Sequence, residues 1–124
     1  MADKKVVLVI DDDVDILESL SIVLAAEGFE VLTVSSGREG LALLERQTPD
    51  IILCDMMMES IDAGMQTARQ IKQKQPSVPI YLLSSIAAAT AATTEIRELG
   101  FTGVLQKPVD PQHVVTVVKN TLKR

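Results

Sequence analysis

The chain has 124 residues, a length typical of one domain with a core on both faces of a small sheet, so we expect a single domain spanning residues 1–124. Hydrophobic residues make up 47% of the sequence, but the aromatic residues are limited to two Phe and one Tyr, so the core must be aliphatic. A formal net charge of −5 argues against phosphate-backbone binding as the main role, because that role requires a basic surface, and we expect no direct contact with nucleic acid.

The sequence carries no targeting or disulfide signal. Cys54 is the single cysteine and cannot form an intramolecular disulfide, and Met1 is followed by charged residues rather than by an apolar signal region. No apolar run approaches the roughly 18 residues that indicate a membrane span. We therefore expect a cytoplasmic protein without membrane insertion.

Buried strands alternate with amphipathic helices along the whole chain. Continuous β-branched apolar runs that end in polar residues predict five strands, at residues 6–10, 30–34, 51–54, 80–83 and 103–106. Helical apolar spacing, with a capping-box pattern at Ser36 and Glu39, predicts five helices, at residues 14–27, 37–46, 64–75, 90–99 and 111–124. Right-handed crossovers between such elements require a parallel sheet covered on both faces, which is a doubly wound α/β fold.

Polar side chains follow four of the five strands at the point where each strand ends. They are Asp11, Asp12 and Asp13 after the first strand, Asp55 after the third, Ser84 and Ser85 after the fourth and Lys107 after the fifth. Because ligands bind at the carboxyl ends of parallel strands, these residues are expected to share one crevice. Gathered carboxylates repel one another unless a cation neutralises them, and oxygen ligands of this kind favour Mg²⁺.

Such a constellation suits phosphoryl transfer. One carboxylate can act as the nucleophile toward phosphorus, while the metal, a hydroxyl and an ammonium bind the oxygens of the transferring group.

The pattern resembles the receiver domain of response regulators in two-component signalling, and the resemblance covers essentially the whole chain. The family motif matches the acidic pair Asp11 and Asp12, the phospho-accepting Asp55, the hydroxyl residue Ser84 and the pair Lys107 and Pro108. The resemblance implies a flavodoxin-like fold, in which five parallel strands in the order 2-1-3-4-5 are covered by five helices. It further implies phosphoryl transfer to Asp55 from a histidine kinase or another phosphorelay protein, and the switching of a surface that binds an output protein or output domain.

The resemblance also assigns roles around the acceptor. It implies that Asp12, Asp55 and the main-chain carbonyl of Met57 bind Mg²⁺ directly, that Asp11 acts through water, and that Lys107 pairs with the phosphoryl group. It implies a cis peptide bond before Pro108 as well. The switching surface would be formed by the predicted fourth helix, the fifth strand and the last helix.

The sequence departs from the family pattern at several positions. Glu59 replaces the usual proline after the acceptor, and Val104 stands where a switching aromatic residue is common. Met57 and Ile86 flank the path that a hydrolytic water takes in the family, and apolar side chains there predict slow autodephosphorylation.

Two other function classes stay open at this point. The first is an interaction module with the same fold that works without phosphorylation, although that class needs a defective acidic pair, acceptor or lysine. The second is a phosphatase with true turnover, which continuous phosphate release would distinguish from a persistent aspartyl phosphate. Cys54 is expected to be a buried structural thiol on the strand face opposite to Asp55, and His113 a surface residue of the last helix.

Overall fold

The computed structural model describes residues 4–55, 61–84 and 101–123. Five strands lie in these segments: β1 (Val6–Ile10), β2 (Glu30–Val34), β3 (Ile51–Asp55), β4 (Ile80–Ser84) and β5 (Gly103–Gln106). Four helices accompany them: α1 (Val14–Ala26), α2 (Gly37–Leu44), α3 (Ile61–Lys74) and α4 (Pro111–Leu122). The helix predicted at residues 90–99 lies outside the described residues.

The strands form one parallel sheet in the order β2-β1-β3-β4-β5. This order is the one predicted, and the doubly wound α/β fold is confirmed. The chain reverses its direction of winding between β1 and β3, so the crevice between these two strands is the expected ligand position. β3 is the central strand, with β1 on one side and β4 on the other.

The sheet separates two aliphatic layers because buried side chains alternate between its faces. One layer joins Leu8, Ile10, Ile52, Cys54 and Leu82 to α2 and α3. The other joins Val7, Val9, Leu53, Leu83 and Leu105 to α1 and α4. The five residues of β3 are all buried, as expected of a strand that is covered on both faces.

Side-chain caps start the helices where the sequence predicts. Asp13 and Asp110 each accept a hydrogen bond from the backbone N–H two residues further along, at 2.9 and 3.1 Å. Ser36 Oγ accepts from the Glu39 N–H at 3.1 Å, whereas the Glu39 carboxylate accepts from the Ser35 N–H rather than completing a capping box on Ser36. The capping-box pattern therefore predicted the start of α2 correctly. The residue whose N–H donates to the Glu39 carboxylate, however, is Ser35 rather than Ser36.

Element ends differ from the predictions by a few residues. β3 and β4 each extend one residue further, to Asp55 and Ser84, so that both polar side chains belong to the strands themselves. α1 and α2 end earlier than predicted, and α3 begins at Ile61. Within the described segments, no helix is both long and apolar enough to cross a membrane.

Candidate functional site

Two buried carboxylates lie at the carboxyl ends of adjacent strands. Asp11 directly follows β1 and Asp55 ends β3, and the two residues are 0% and 1% exposed. Ile10 is in register with Cys54, so the next residues along the two strands, Asp11 and Asp55, are neighbours. The sequence places them together because two apolar strands of matched length end in acidic residues at the topological switch point.

A third carboxylate completes an acidic cluster. Ligand oxygens of Asp11, Asp12 and Asp55 all lie within 4.8 Å of one another, and Asp12 is the exposed member. When all three are ionised, the single ammonium of Lys107 leaves the cluster two charges negative. This excess negative charge suits a divalent cation.

Lys107 joins the two buried carboxylates across the sheet. Its Nζ lies 3.1 Å from Asp11 Oδ2 and 3.3 Å from Asp55 Oδ2, and its side chain is 23% exposed. The ammonium thus neutralises part of the charge while the outer side of the cluster stays open to solvent.

The two oxygens of Asp11 have different surroundings. Oδ1 accepts a hydrogen bond from the Asp13 N–H at 2.9 Å, which closes the turn into α1. Oδ2 is buried and contacts the Lys107 ammonium at 3.1 Å. A buried acceptor of this kind is normally satisfied by a donor, water or an ion. The three clustered carboxylates therefore fit a hard divalent cation such as Mg²⁺.

Burial and charge shift the protonation of these groups. Burial raises the pKa of Asp11, and the charge of Asp55 adds to this, although the Asp13 N–H and Lys107 act in the opposite direction. Burial alone would lower the pKa of Lys107, but its contacts with Asp11 and Asp55 outweigh burial and raise it. Lys107 is therefore a permanent cation at neutral pH.

Ser84 ends β4, the strand next to Asp55, and is fully buried. Asp55 is in register with Leu83, so Ser84 lies one residue further along on the adjacent strand. The Ser84 carbonyl accepts a hydrogen bond from the Lys107 N–H at 2.8 Å. The hydroxyl residue and the ammonium residue are consequently joined through the backbone.

Four further predictions concern residues outside the acidic cluster. The peptide bond between Lys107 and Pro108 is cis, as the family resemblance implies. Cys54 packs in the α2 and α3 layer, on the sheet face opposite to that of Leu53, and burial raises the pKa of its thiol to about 12. His113 is exposed on α4. Met57, the predicted carbonyl ligand, lies outside the described residues.

An open groove that the sequence did not predict borders the cluster. It runs between the first turns of α1 and the connection from β5 to α4, and it is lined by Asp13, Asp15, Ile16, Ser19, Lys107, Pro108 and Val109. Val14, in the first turn of α1, is 68% exposed. The helical spacing of apolar residues predicts the buried face of α1. It does not predict which residues of this helix the neighbouring elements leave exposed.

A family model described as the response regulator receiver domain matches residues 7–119. The chain therefore belongs to the response regulator receiver domain family of two-component systems, and the expected family is confirmed.

The relatives are longer proteins. The transcriptional regulatory protein GlrR of Escherichia coli (strain K12) is 36% identical over 120 residues, which cover 94% of this chain and 26% of GlrR. The alkaline phosphatase synthesis transcriptional regulatory protein PhoP of Bacillus subtilis (strain 168) is 32% identical, with coverage of 97% of this chain and 49% of PhoP. The chain thus spans between a quarter and a half of these curated relatives.

A solved structure of similar size has the same fold. The chemotaxis response regulator CheY4 of Vibrio cholerae superposes with a TM-score of 0.85 at 27% identity, and the match covers 97% of this chain and 100% of CheY4.

Proposed function

We propose that this receiver domain accepts a phosphoryl group on Asp55 from a histidine kinase or another phosphorelay protein, with bound Mg²⁺. The modification then switches a protein-interaction surface. The observation that carries the proposal is the clustering of Asp11, Asp12 and Asp55 within 4.8 Å, beside an ammonium 3.3 Å from the Asp55 carboxylate.

The surroundings of the three carboxylates favour Asp55 as the acceptor. One oxygen of Asp11 is engaged by the turn into α1, and Asp12 is exposed on the loop after β1. Asp55 ends the central strand, with the acidic pair on one side and Ser84 on the other. A phosphoryl group on Asp55 would therefore lie between the carboxylates that hold a metal and the hydroxyl and ammonium groups.

The proposed step is an in-line displacement at phosphorus. A carboxylate oxygen of Asp55 forms the new O–P bond as the P–N bond to the donor histidine breaks, and the imidazole leaves with the bonding electron pair. Asp12, Asp55 and the main-chain carbonyl of Met57 would hold Mg²⁺ directly and Asp11 through water. When bound, the ion offsets negative charge on the phosphoryl oxygens. Lys107 would pair with one such oxygen and the Ser84 hydroxyl would donate to another.

The wider assignments belong to the same proposal. Residues 1–124 would form one receiver domain that works in the cytoplasm and assists its own phosphorylation and dephosphorylation without turning over an external substrate. Its output would be a separate protein or an attached output domain. The net charge of −5 supports output through protein contacts rather than direct nucleic-acid binding.

Intact-protein mass spectrometry after incubation with acetyl phosphate tests the proposal. We expect a single phosphoryl adduct that requires Mg²⁺, that is absent from Asp55→Asn and that persists in Asp15→Asn. Asp15 is the matched control because it is an exposed acidic residue outside the cluster. An adduct that survives in Asp55→Asn would assign the acceptor to another residue.

The experiment also separates the remaining function classes. A folded protein that binds Mg²⁺ and forms no adduct would indicate an interaction module that works without phosphorylation. Continuous release of phosphate without a persistent adduct would indicate a phosphatase.

A further inference from the structure

Tyr81 connects β4 to the end of α4. It lies on β4, three residues before Ser84, and its side chain packs in the layer between the sheet, α1 and α4. Its hydroxyl lies 3.0 Å from Thr121 Oγ1, in the last turn of α4. This hydrogen bond joins residues 40 positions apart in the sequence and is partly buried.

The glycine opposite Tyr81 makes this side-chain position possible. Tyr81 is in register with Gly103 on β5, and a Cβ atom added to Gly103 would lie 3.1 Å from Cε2 and 3.3 Å from Cδ2 of the ring. The ring therefore lies closely over the β5 backbone. A Cβ atom at position 103 would therefore require the ring to shift by a few tenths of an ångström.

The carboxyl ends of β4 and β5 are joined at the proposed phosphorylation site. The Lys107 N–H donates to the Ser84 carbonyl at 2.8 Å, and Ser84 is in register with Gln106. Ser84 is fully buried and its short side chain is attached to the end of β4, so a movement of its hydroxyl toward a phosphoryl group on Asp55 would be accompanied by a movement of that strand end. Tyr81 lies three residues before Ser84, a separation of roughly 10 Å along the strand at about 3.3 Å per residue. A shift of the end of β4 along the strand direction would therefore displace Tyr81 as well.

We propose that the hydrogen bond between Tyr81 and Thr121 depends on the state of the site. It belongs to the unphosphorylated conformation, and it weakens when Ser84 is drawn toward a phosphoryl group, which loosens the last turn of α4. The reason is geometric: the ring is closely packed over Gly103, and an O–H···O bond is lost when its atoms separate by more than a few tenths of an ångström beyond about 3 Å. The inference rests on the proposed function, because it needs a phosphoryl group at Asp55.

Thermodynamic linkage distinguishes this role from a purely structural one. An interaction that is equally strong in both conformations stabilises the fold but leaves the affinity for a phosphoryl analogue unchanged. An interaction made only in the unphosphorylated conformation opposes binding of the analogue, so its removal must tighten binding. Affinity, rather than stability, is therefore the decisive measurement.

The test uses beryllofluoride, an analogue of the phosphoryl group, in the presence of Mg²⁺, with binding measured by titration calorimetry. Tyr81→Phe removes the hydroxyl and keeps the ring, and Thr121→Val removes the partner oxygen at similar volume. We expect each variant to bind beryllofluoride about two- to tenfold more tightly than the wild type, the range that the net free energy of one hydrogen bond gives. The double variant should bind no more tightly than either single variant, because both changes remove the same bond.

Thr116→Val is the matched control on the same helix. Thr116 Oγ1 donates to the Gln112 carbonyl at 3.1 Å within α4, so it makes an exposed hydrogen bond that does not reach the sheet. Its loss should leave the affinity for beryllofluoride unchanged.

The wild-type protein offers a second readout of the same event. Tyr81 is the one tyrosine of a chain without tryptophan, so tyrosine emission reports on this ring alone. We expect emission to change when beryllofluoride and Mg²⁺ are added together, and to change much less in Thr121→Val.

The outcomes separate this inference from the proposed function. If the wild type binds beryllofluoride and Tyr81→Phe and Thr121→Val bind it equally well or more weakly, the inference is wrong and the proposed function stands. If the wild type neither binds beryllofluoride nor forms an acetyl phosphate adduct, the proposed function fails and the inference with it.

Discussion

Lys107 is the residue on which the charge balance of the cluster depends. Its ammonium contacts carboxylates from two different strands, Asp11 and Asp55, both of which are buried. Removing one partner from such an arrangement costs more than the contact itself contributes, because the remaining charges stay desolvated. Exposed ion pairs elsewhere on the molecule lack this property.

Replacing Lys107 with Met should lower the free energy of unfolding of the metal-free protein by about 1–3 kcal/mol, because two buried carboxylates lose their counter-ion. Chemical denaturation at neutral pH measures the loss. Lys119→Met is the control, since Lys119 pairs with Glu27 at the exposed surface, and it should cost at most about 0.5 kcal/mol.

The loss in Lys107→Met should shrink as the pH is lowered. Burial already raises the pKa of Asp11 above its ordinary value of 3.8, and removing the cation raises it further. Because folding raises the pKa of Asp11, protonation of this carboxyl group stabilises the folded protein. This stabilisation is complete below pH 3.8 and is lost as the pH rises through the raised pKa, so the cost of removing Lys107 is largest at neutral pH. A loss that grows toward acidic pH would contradict this account.

The Cys54 thiol should resist modification in the native protein. Burial raises its pKa to about 12, so the thiol is protonated at neutral pH, and the side chain is buried. We expect a disulfide reagent to label Cys54 only at the rate of unfolding, and rapidly in denaturant. Fast labelling of the folded protein would overturn the structural role of this thiol.

Met57 and Ile86, which lie outside the described residues, are expected to influence the phosphoryl lifetime. Their apolar side chains predict slow loss of the phosphoryl group because they do not orient a hydrolytic water. Replacing Met57 with Asn and Ile86 with Glu should shorten the lifetime of the phosphoryl adduct. Mass spectra recorded at successive times measure this lifetime. Unchanged decay would remove the explanation.

At the scale of elements, α2 and α3 pack closely because one helix begins with a glycine. A Cβ atom on Gly37 would lie 2.5 Å from Thr67 Cγ2 and 2.8 Å from Thr67 Oγ1. Glu45 and Lys74 form an ion pair at the opposite end of the two helices. The distance between α2 and α3 therefore depends on the close approach of the Gly37 backbone to Thr67 at one end. At the other end the ion pair between Glu45 and Lys74 stabilises the contact.

Gly37→Ala should destabilise the protein by about 1–3 kcal/mol, because overpacking at this contact outweighs the better helix propensity of alanine. Adding Thr67→Ala should recover part of the loss, which urea denaturation of the single and double variants measures. Gly28→Ala is the control: Gly28 has a φ of 94° and open space around its Cβ position, so the loss there is backbone strain. Recovery of Gly28→Ala by Thr67→Ala would contradict the steric explanation.

At the scale of the whole molecule, the sheet brings together groups from four strand ends that are far apart in the sequence. β1, β3, β4 and β5 deliver Asp11, Asp55, Ser84 and Lys107 to one edge. A ligand that binds these groups stabilises all four strands at once, because the unfolded chain does not form the site.

Mg²⁺ should therefore raise the melting temperature. At about 100 times its dissociation constant, the stabilisation is about 2.7 kcal/mol, or roughly 10 °C for a domain of this size. Asp12→Asn should reduce the shift seen by calorimetry, whereas Asp15→Asn should retain it. Equal shifts in both variants would show that the ion binds elsewhere.

The features that depend on neighbouring residues could be predicted from the sequence alone. Apolar β-branched runs located the five strands, and the change of polarity at Asp11 and after Cys54 marked the strand ends that carry the acidic residues. Cap residues such as Ser36 and Asp110 located helix starts for the same reason, since a cap acts over two or three residues. The family motif then supplied the strand order and the expected roles.

The contacts between individual atoms, in contrast, required the three-dimensional structure. It showed that Lys107 contacts Asp11 and Asp55 together, that one oxygen of Asp11 is used by a turn, and that Tyr81 reaches Thr121 over Gly103. These contacts depend on strand register and on the packing of α4, which a periodic pattern does not specify because the same pattern is compatible with many long-range separations. The periodicity of a sequence encodes which face a residue occupies, whereas the distance between two faces is set by the packing of the whole core.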